Sequence, residues 1–274
     1  MPDIIAGSDI STRGGGEIAL DHHVDGGLTV NTPNGSVHLT KQGALTFKRS
    51  LKDISRSDDN DGKEDWITQV DNQDGRPYSK LVGLVRKDGD DTYSLRLPPN
   101  DDPSLDELGN APALQLSGKD LTKIDDALFR MESASRIDTG HGDLDIFITD
   151  DNKFGFRNVG DNGRPVETKF DAKSFAKLNH AIDVVVDGFD DSDPNGPDEG
   201  VTRVDVKTNA GTVRVELTGN WRGTTPDDRL KITPVGGGTW SIDVAGAHQS
   251  DLHDALSKVS EAGEGLDFYD PFGY

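Results

Sequence analysis

Cysteine is absent from this 274-residue sequence, and aromatic residues make up only 6% of it. The missing cysteine excludes disulfides, zinc–thiolate sites, iron–sulfur clusters and cysteine nucleophiles. Apolar residues reach only 32%, so each hydrophobic core must be small. No run approaches the roughly 18 apolar residues of a membrane helix. Residues 1–7 lack a basic region and a long apolar stretch, so we expect no signal peptide.

Acidic residues outnumber basic ones by 50 to 29, which gives a net charge of −21. Aspartate supplies 41 of the acidic residues. Low hydrophobicity with high net charge is typical of disordered chains, but the regular strand patterns described below favour a folded protein. Self-repulsion would destabilise this fold in dilute buffer and is largely screened in molar salt, where the Debye length is about 3 Å. The composition resembles that of proteins from salt-loving archaea and their viruses.

Signatures of common catalytic sites are missing from the sequence. It contains neither a Gly-x-Ser-x-Gly elbow nor a His-Glu-x-x-His pair. Gly118-Lys119 looks like the end of a phosphate loop, but Asp120 stands where Ser or Thr is required. Binding of single-stranded nucleic acid needs a basic groove with stacking aromatics, and a charge of −21 repels phosphate. We therefore predict a protein that is not an enzyme, has no catalytic or cofactor-binding residues and binds no nucleic acid.

A strand followed by a short helix recurs three times along the chain. Alternating apolar residues predict the strands at 113–116, 166–170 and 240–244. Counted from the last apolar strand residue, an apolar residue follows after 8 positions, alanine after 11 and an aliphatic residue after 12. Two of the three copies also have an apolar residue after 5 positions. This spacing places one apolar stripe of a helix against a sheet. The three sets are Ile124, Ala127 and Leu128; Leu178, Ala181 and Ile182; and Leu252, Ala255 and Leu256.

The first 56 residues contain a degenerate fourth copy or an unrelated β region. Strands predicted at 28–31 and 36–39 flank a turn at Pro33-Asn34-Gly35. Residues 44–47 are interpreted as a further strand that leads into Leu51 and Ile54, one residue short of the other spacing. Antiparallel strands with a helix on one sheet face predict the α+β class. The fold is expected to be a β-rich array of small antiparallel-sheet units, each followed by a short packed helix.

Acidic, Gly-rich and Pro-rich seams at 57–62, 138–142 and 188–200 divide the chain into regions. The predicted regions are an N-terminal β region over 1–56, a sheet-plus-helix unit over 66–137, a hairpin–strand–helix unit over 143–188, a second sheet-plus-helix unit over 201–262 and an aromatic tail over 263–274.

One acidic loop has the beginning of a calcium-binding pattern. Oxygen-bearing side chains alternate ahead of a glycine, as in the first half of an EF-hand loop. Thr202 stands where the final glutamate is expected, so the last acidic residues of the loop would have to replace it. A solvated acidic linker is the alternative. The candidate Ca²⁺ ligands are Asp191, Asp193, Asn195, Asp198 and Glu199.

The C-terminal tail is rich in aromatic residues although the chain is poor in them. It either folds back over its own core or inserts into a neighbouring subunit. The second alternative makes it a candidate interface. Its aromatic residues are Phe268, Tyr269, Phe272 and Tyr274.

A Cys-free, Asp-rich chain with repeated α+β units is similar in overall style to structural proteins of tailed viruses that infect haloarchaea. The resemblance implies a non-enzymatic virion protein, as a capsid decoration, turret or tail component, that is assembled in the host cytoplasm. Its partners would be further copies of itself and other virion proteins, and it would bind no membrane. Two alternatives stay open: a cytoplasmic haloarchaeal module that binds a protein or a ligand, and an enzyme of unknown type.

Overall fold

The chain forms two compact units, Met1–Glu132 and Ser133–Tyr274, called here the N-terminal and C-terminal units. The computed structural model describes residues 3–56, 62–73, 76–98, 103–159, 165–187, 202–218 and 228–269. Each unit contains two antiparallel four-stranded sheets, in which every strand pairs with its neighbour in sequence. The α+β class and the β-rich sheets expected from the sequence are confirmed.

The N-terminal unit consists of two meanders, each followed by a helix. The first has β1 (Ile4–Ser11), β2 (Glu17–His23), β3 (Leu28–Thr32), β4 (Gly35–Leu39) and helix α1 (Lys41–Ser55). The second has β5 (Glu64–Gln73), β6 (Arg76–Gly89), β7 (Thr92–Arg96), β8 (Leu114–Ser117) and helix α3 (Gly118–Ser133). A short helix, α2 (Leu105–Asn110), lies between β7 and β8.

The C-terminal unit repeats this order. Its first half has β9 (Ser135–Asp138), β10 (Asp143–Ile148), β11 (Phe154–Val159), β12 (Val166–Phe170) and helix α4 (Ala172–Asp187). Its second half has β13 (Arg203–Thr208), β14 (Gly211–Thr218), β15 (Arg229–Pro234) and β16 (Ile242–Ala245), then a short 3-10 turn and helix α5 (Gln249–Gly265). The chain therefore contains four copies of one pattern, four strands and then a helix.

The helices of all four copies share the spacing found in the sequence. Their last apolar strand residues are Leu39, Leu116, Phe170 and Val244. The residues 8 positions later are Phe47, Ile124, Leu178 and Leu252, and those 12 positions later are Leu51, Leu128, Ile182 and Leu256. All eight are buried. The repeated positions form the face that each helix turns toward the sheets.

The first copy is complete, and the strand expected at 44–47 is wrong. These residues belong to α1, which begins after Thr40, whose side chain accepts a hydrogen bond from the backbone N–H of Gly43. With Leu39 as the last strand residue, Phe47 and Leu51 have the same spacing as in the other copies. The spacing seemed one residue short only because it was counted from residues 44–47, which belong to the helix and not to a strand.

Three region boundaries differ from those expected. The second region was predicted to run to residue 137, but β9 already starts at Ser135 and pairs with β10 of the third sheet. Strand β5 starts at Glu64 rather than at 66, and α5 extends to Gly265, beyond the expected end at 262. The last strand of the fourth sheet begins at Ile242, two residues after the predicted start at 240.

Within each unit the two copies pack reciprocally. Helix α1 lies on β5, α4 lies on β13, and α5 lies on β9 and β10, so these helices cover the sheet of the other copy in their unit. Hydrogen bonds also join the two copies, each between the first hairpin of one copy and the strand-to-helix junction of the other. The pairs, with the hairpin residue first, are Gln69 and Thr40, Arg13 and Asp120, Asn209 and Ser174, and Thr139 and Ala245. In the C-terminal unit, buried residues of both copies form one hydrophobic core.

Ser50 occupies the position that is alanine in the other three copies, 11 residues after the last strand residue. It is fully buried, and its Oγ has no hydrogen-bond partner among the described residues. Because an unpaired buried hydroxyl costs about 1–3 kcal/mol, Ser50→Ala should raise the free energy of unfolding by about 1 kcal/mol. Urea unfolding in molar KCl measures this change. The reverse substitution at the matched position, Ala127→Ser, should lower stability, and a stabilising Ala127→Ser would contradict the explanation.

Candidate binding groove between α4 and α5

Two of the expected sites lie partly or wholly outside the described residues. All five candidate calcium ligands, Asp191, Asp193, Asn195, Asp198 and Glu199, fall in the undescribed stretch 188–201, so calcium binding stays a prediction. Phe272 and Tyr274 of the tail fall in the undescribed stretch 270–274. Within the described ranges, no three His, Asp or Glu side chains group as metal ligands. In the same ranges, no helix is long and apolar enough to cross a membrane.

The described part of the aromatic tail folds back onto the C-terminal unit. The Tyr269 ring lies edge-on to Phe154 and Phe175, with centroid distances of 5.1 and 5.5 Å. Phe268 is half-buried and lies 5.4 Å from Phe154. Tyr269 is only 6% exposed. These two residues therefore belong to the core of their own unit and do not project as free anchors for a neighbour.

A groove suited to binding lies in the C-terminal unit, between the second half of α4 and the first half of α5. It encloses about 570 Å³, which is within the range of ligand-binding sites. Its floor is apolar and consists of Ile182, Val186, Leu230, Leu252 and Leu256. Its rim is polar and consists of Asn179, Asp183, Gln249, Ser250, His253 and Ser257. An apolar floor with a polar rim can bury a hydrophobic group and orient it.

The N-terminal unit has a smaller groove at the equivalent place, between the end of α1 and the start of α3. It encloses about 180 Å³. The repeat spacing matches its lining residues to those of the larger groove. Leu121 corresponds to Gln249, Thr122 to Ser250, Asp125 to His253, Lys52 to Asp183 and Ser55 to Val186. The two grooves thus share a backbone frame and differ in side-chain chemistry.

Gln249 is the most unusual residue of the larger groove. Its side-chain Nε2 is shielded from solvent and has no hydrogen-bond acceptor in the part of the chain that the structure describes. An unpaired, buried N–H costs about 1–3 kcal/mol. A carbonyl or carboxylate oxygen of a bound partner would accept this hydrogen bond and remove the cost. The groove is therefore suited to a ligand that presents an oxygen beside an apolar group.

The charge around the groove is negative. Helix α5 carries four acidic residues and one basic residue, a net charge of −3. Asp183 lies exposed on the α4 rim, and Asp251 and Asp254 lie exposed on α5. The exposed His253 ring lies 3.9 Å from the Asp254 carboxylate. Because anions are repelled here, the oxygen that meets Gln249 should belong to a neutral carbonyl, and flanking positive charge on the partner should be favourable.

Sequence reasoning did not single out this groove, although one signal was available. The fifth residue after the last strand residue is apolar in three copies, as Ala44, Leu121 and Phe175, and is Gln249 in the fourth. A polar residue at a repeated apolar position marks a site that has departed from simple core packing. The spacing does not show which helices face each other within a unit, so the sequence could not predict that α4 lies across the groove from Gln249.

Comparison with protein-family models, with curated proteins and with solved structures gives no match for this chain.

Proposed function

We propose that this protein is a non-enzymatic structural protein that works by binding other proteins, and that the α4–α5 groove receives the partner. The observation that carries the proposal is the apolar floor beside the unpaired amide of Gln249. A protein segment supplies both matching groups, an apolar side chain for the floor and a backbone carbonyl for the amide. The acidic rim favours a segment whose apolar anchor is flanked by lysine or arginine.

The setting that we propose is the particle of a virus that infects halophilic archaea, with the protein as a capsid decoration, turret or tail component. The excess of aspartate and the net charge of −21 support a protein that works in brine. In such a particle its partners would be copies of itself and other virion proteins. The main alternative is a cytoplasmic module that binds a small ligand, which the groove volume of about 570 Å³ would also accommodate.

Binding of Nile red in molar KCl tests the groove as an apolar docking site. This uncharged dye has an apolar body and a carbonyl oxygen. At protein concentrations too low for copies to associate, it should bind the open groove of the folded protein and fluoresce strongly. Ser250→Phe places a ring in the groove and should weaken the binding of the dye at least ten-fold. Thr122→Phe, at the matched position of the N-terminal unit, should leave it unchanged. Equal dye binding by wild type and Ser250→Phe would refute the proposed site.

A further inference from the structure

Helix α1 has the opposite charge to its surroundings. It carries four basic residues, Lys41, Lys48, Arg49 and Lys52, and one acidic residue, Asp53, a net charge of +3 in a chain of −21. Helix α5, beside the groove, has a net charge of −3. The two helices are therefore electrostatically complementary, and they belong to different units of the chain.

The same face of the N-terminal unit exposes two large apolar side chains. Leu45 on α1 is 57% exposed and Phe129 on α3 is 38% exposed. The Lys48 ammonium lies 5.6 Å from the centroid of the Phe129 ring and 2.6 Å from the Glu132 carboxylate, so it joins the two helices. This surface, made of Lys41, Leu45, Lys48, Lys52 and Phe129, is called here the basic ridge.

The repeat positions that carry Leu45 and Phe129 on the ridge carry small or acidic residues in the groove. Leu45 stands 6 residues and Phe129 stands 13 residues after the last strand residue of its copy. In the C-terminal unit, the residues with these spacings that line the groove are Ser250, Ser257 and Asp183. Large apolar side chains therefore occupy on the ridge the repeat positions that hold small or acidic side chains in the groove.

We propose that the occupant of the groove is the basic ridge of a second copy of this chain. This inference depends on the proposed function, because it names the partner of the same groove. Leu45 and Phe129 would cover the apolar floor, while the ridge lysines would lie near Asp183 and Asp251. In molar salt the charge attraction is screened, so the apolar anchors supply the affinity and the charges select the orientation. Since ridge and groove are different surfaces, the contact is head-to-tail and generates a ring or a filament.

Light scattering after size exclusion in molar KCl tests the proposal with two complementary variants. Wild type should assemble, whereas Leu45→Asp, with a damaged ridge, and Ser250→Phe, with a filled groove, should each be monomers of 29.5 kDa. When the two variants are mixed, the intact ridge of Ser250→Phe can bind the intact groove of Leu45→Asp. They should therefore form a dimer that cannot add further subunits. Phe129→Glu is a second ridge variant that should behave as Leu45→Asp does.

Matched controls separate a specific contact from a general loss of exposed apolar surface. Among the described residues, Leu105 is the most exposed large apolar side chain, at 63%, and Leu105→Asp removes it. Thr122→Phe alters the equivalent groove of the N-terminal unit. Both variants should assemble like wild type. A monomeric wild type, or the absence of a dimer in the mixture, would overturn the proposal. Nile red binding retained by a monomeric wild type would leave the proposed docking site standing with another occupant, whereas its loss would remove both.

Discussion

Asp145→Asn should lower the free energy of unfolding of the C-terminal unit by about 3–5 kcal/mol. The Asp145 carboxylate is completely buried on β10, a middle strand of the third sheet, between arginines on the neighbouring strands β9 and β11. Arg136 donates from Nε to Oδ1 at 2.6 Å and from Nη2 to Oδ2 at 3.0 Å. Arg157 donates from Nε and Nη2 to Oδ2 at 2.9 and 2.7 Å. Without the negative charge, two largely buried guanidinium groups lose their common partner.

The fourth sheet supplies a matched control for this prediction. Asp205 accepts from Arg214 on the adjacent strand at 2.8 and 3.0 Å, and these hydrogen bonds hold the pKa of Asp205 below its usual value. The pair is exposed, so water solvates both charges when it is broken, and Asp205→Asn should have little effect. Urea unfolding in molar KCl compares the two variants. Equal losses would show that burial does not determine the strength of these pairs.

Tyr269→Ala should lower the free energy of unfolding of the C-terminal unit by about 3 kcal/mol. The ring fills a space against Phe154 and Phe175, two fully buried residues that stack at 3.7 Å, and its removal leaves a cavity. The backbone N–H groups of Phe268 and Tyr269 also donate to the carbonyl of Gly263, which fixes the chain reversal after α5. Urea unfolding, read from the near-ultraviolet circular dichroism of the aromatic core, measures the loss.

Phe268→Ala is the control for the tail, because this ring is only half-buried and should cost less. Neither substitution should change the oligomeric mass in molar KCl under conditions where the protein remains folded. If Tyr269→Ala instead dissociated an assembly and left the unfolding curve unchanged, the tail would act as an anchor in a neighbour. That result would restore the interface role that the sequence suggested for Phe268 and Tyr269.

Much of the secondary structure could be predicted because it depends on local periodicity. The turn at Pro33-Asn34-Gly35 was found from residue types, and the structure pairs Thr32 with Gly35 around it. The spacing of Ile124 and Leu128 predicted a helix with one buried stripe, and both residues are buried in α3. Such patterns survive in the sequence because each residue reports only which side of its own element faces the core.

Local patterns failed where neighbouring elements had to be distinguished. Residues 44–47 contain Leu45 and Phe47, whose alternation is equally compatible with a strand, and the packing of α1 against β5 favours the helix. Strand β9 is too short to show a period of its own, so residues 135–137 were joined to the preceding unit. In both cases contacts with residues distant in sequence determine the structure. The sequence alone does not reveal which residues make those contacts.

The sequence by itself determined the fold class, the repetition of sheet and helix, the Cys-free acidic chemistry and the main buried residues of α3, α4 and α5. The tertiary structure alone decided that the copies combine two by two and that helices cover the other copy's sheet. It alone opened a groove beside Gln249 and placed Leu45 and Phe129 on one exposed face. The physical reason is that periodicity records the inner face of an element, whereas grooves and ridges arise where outer faces of different elements meet.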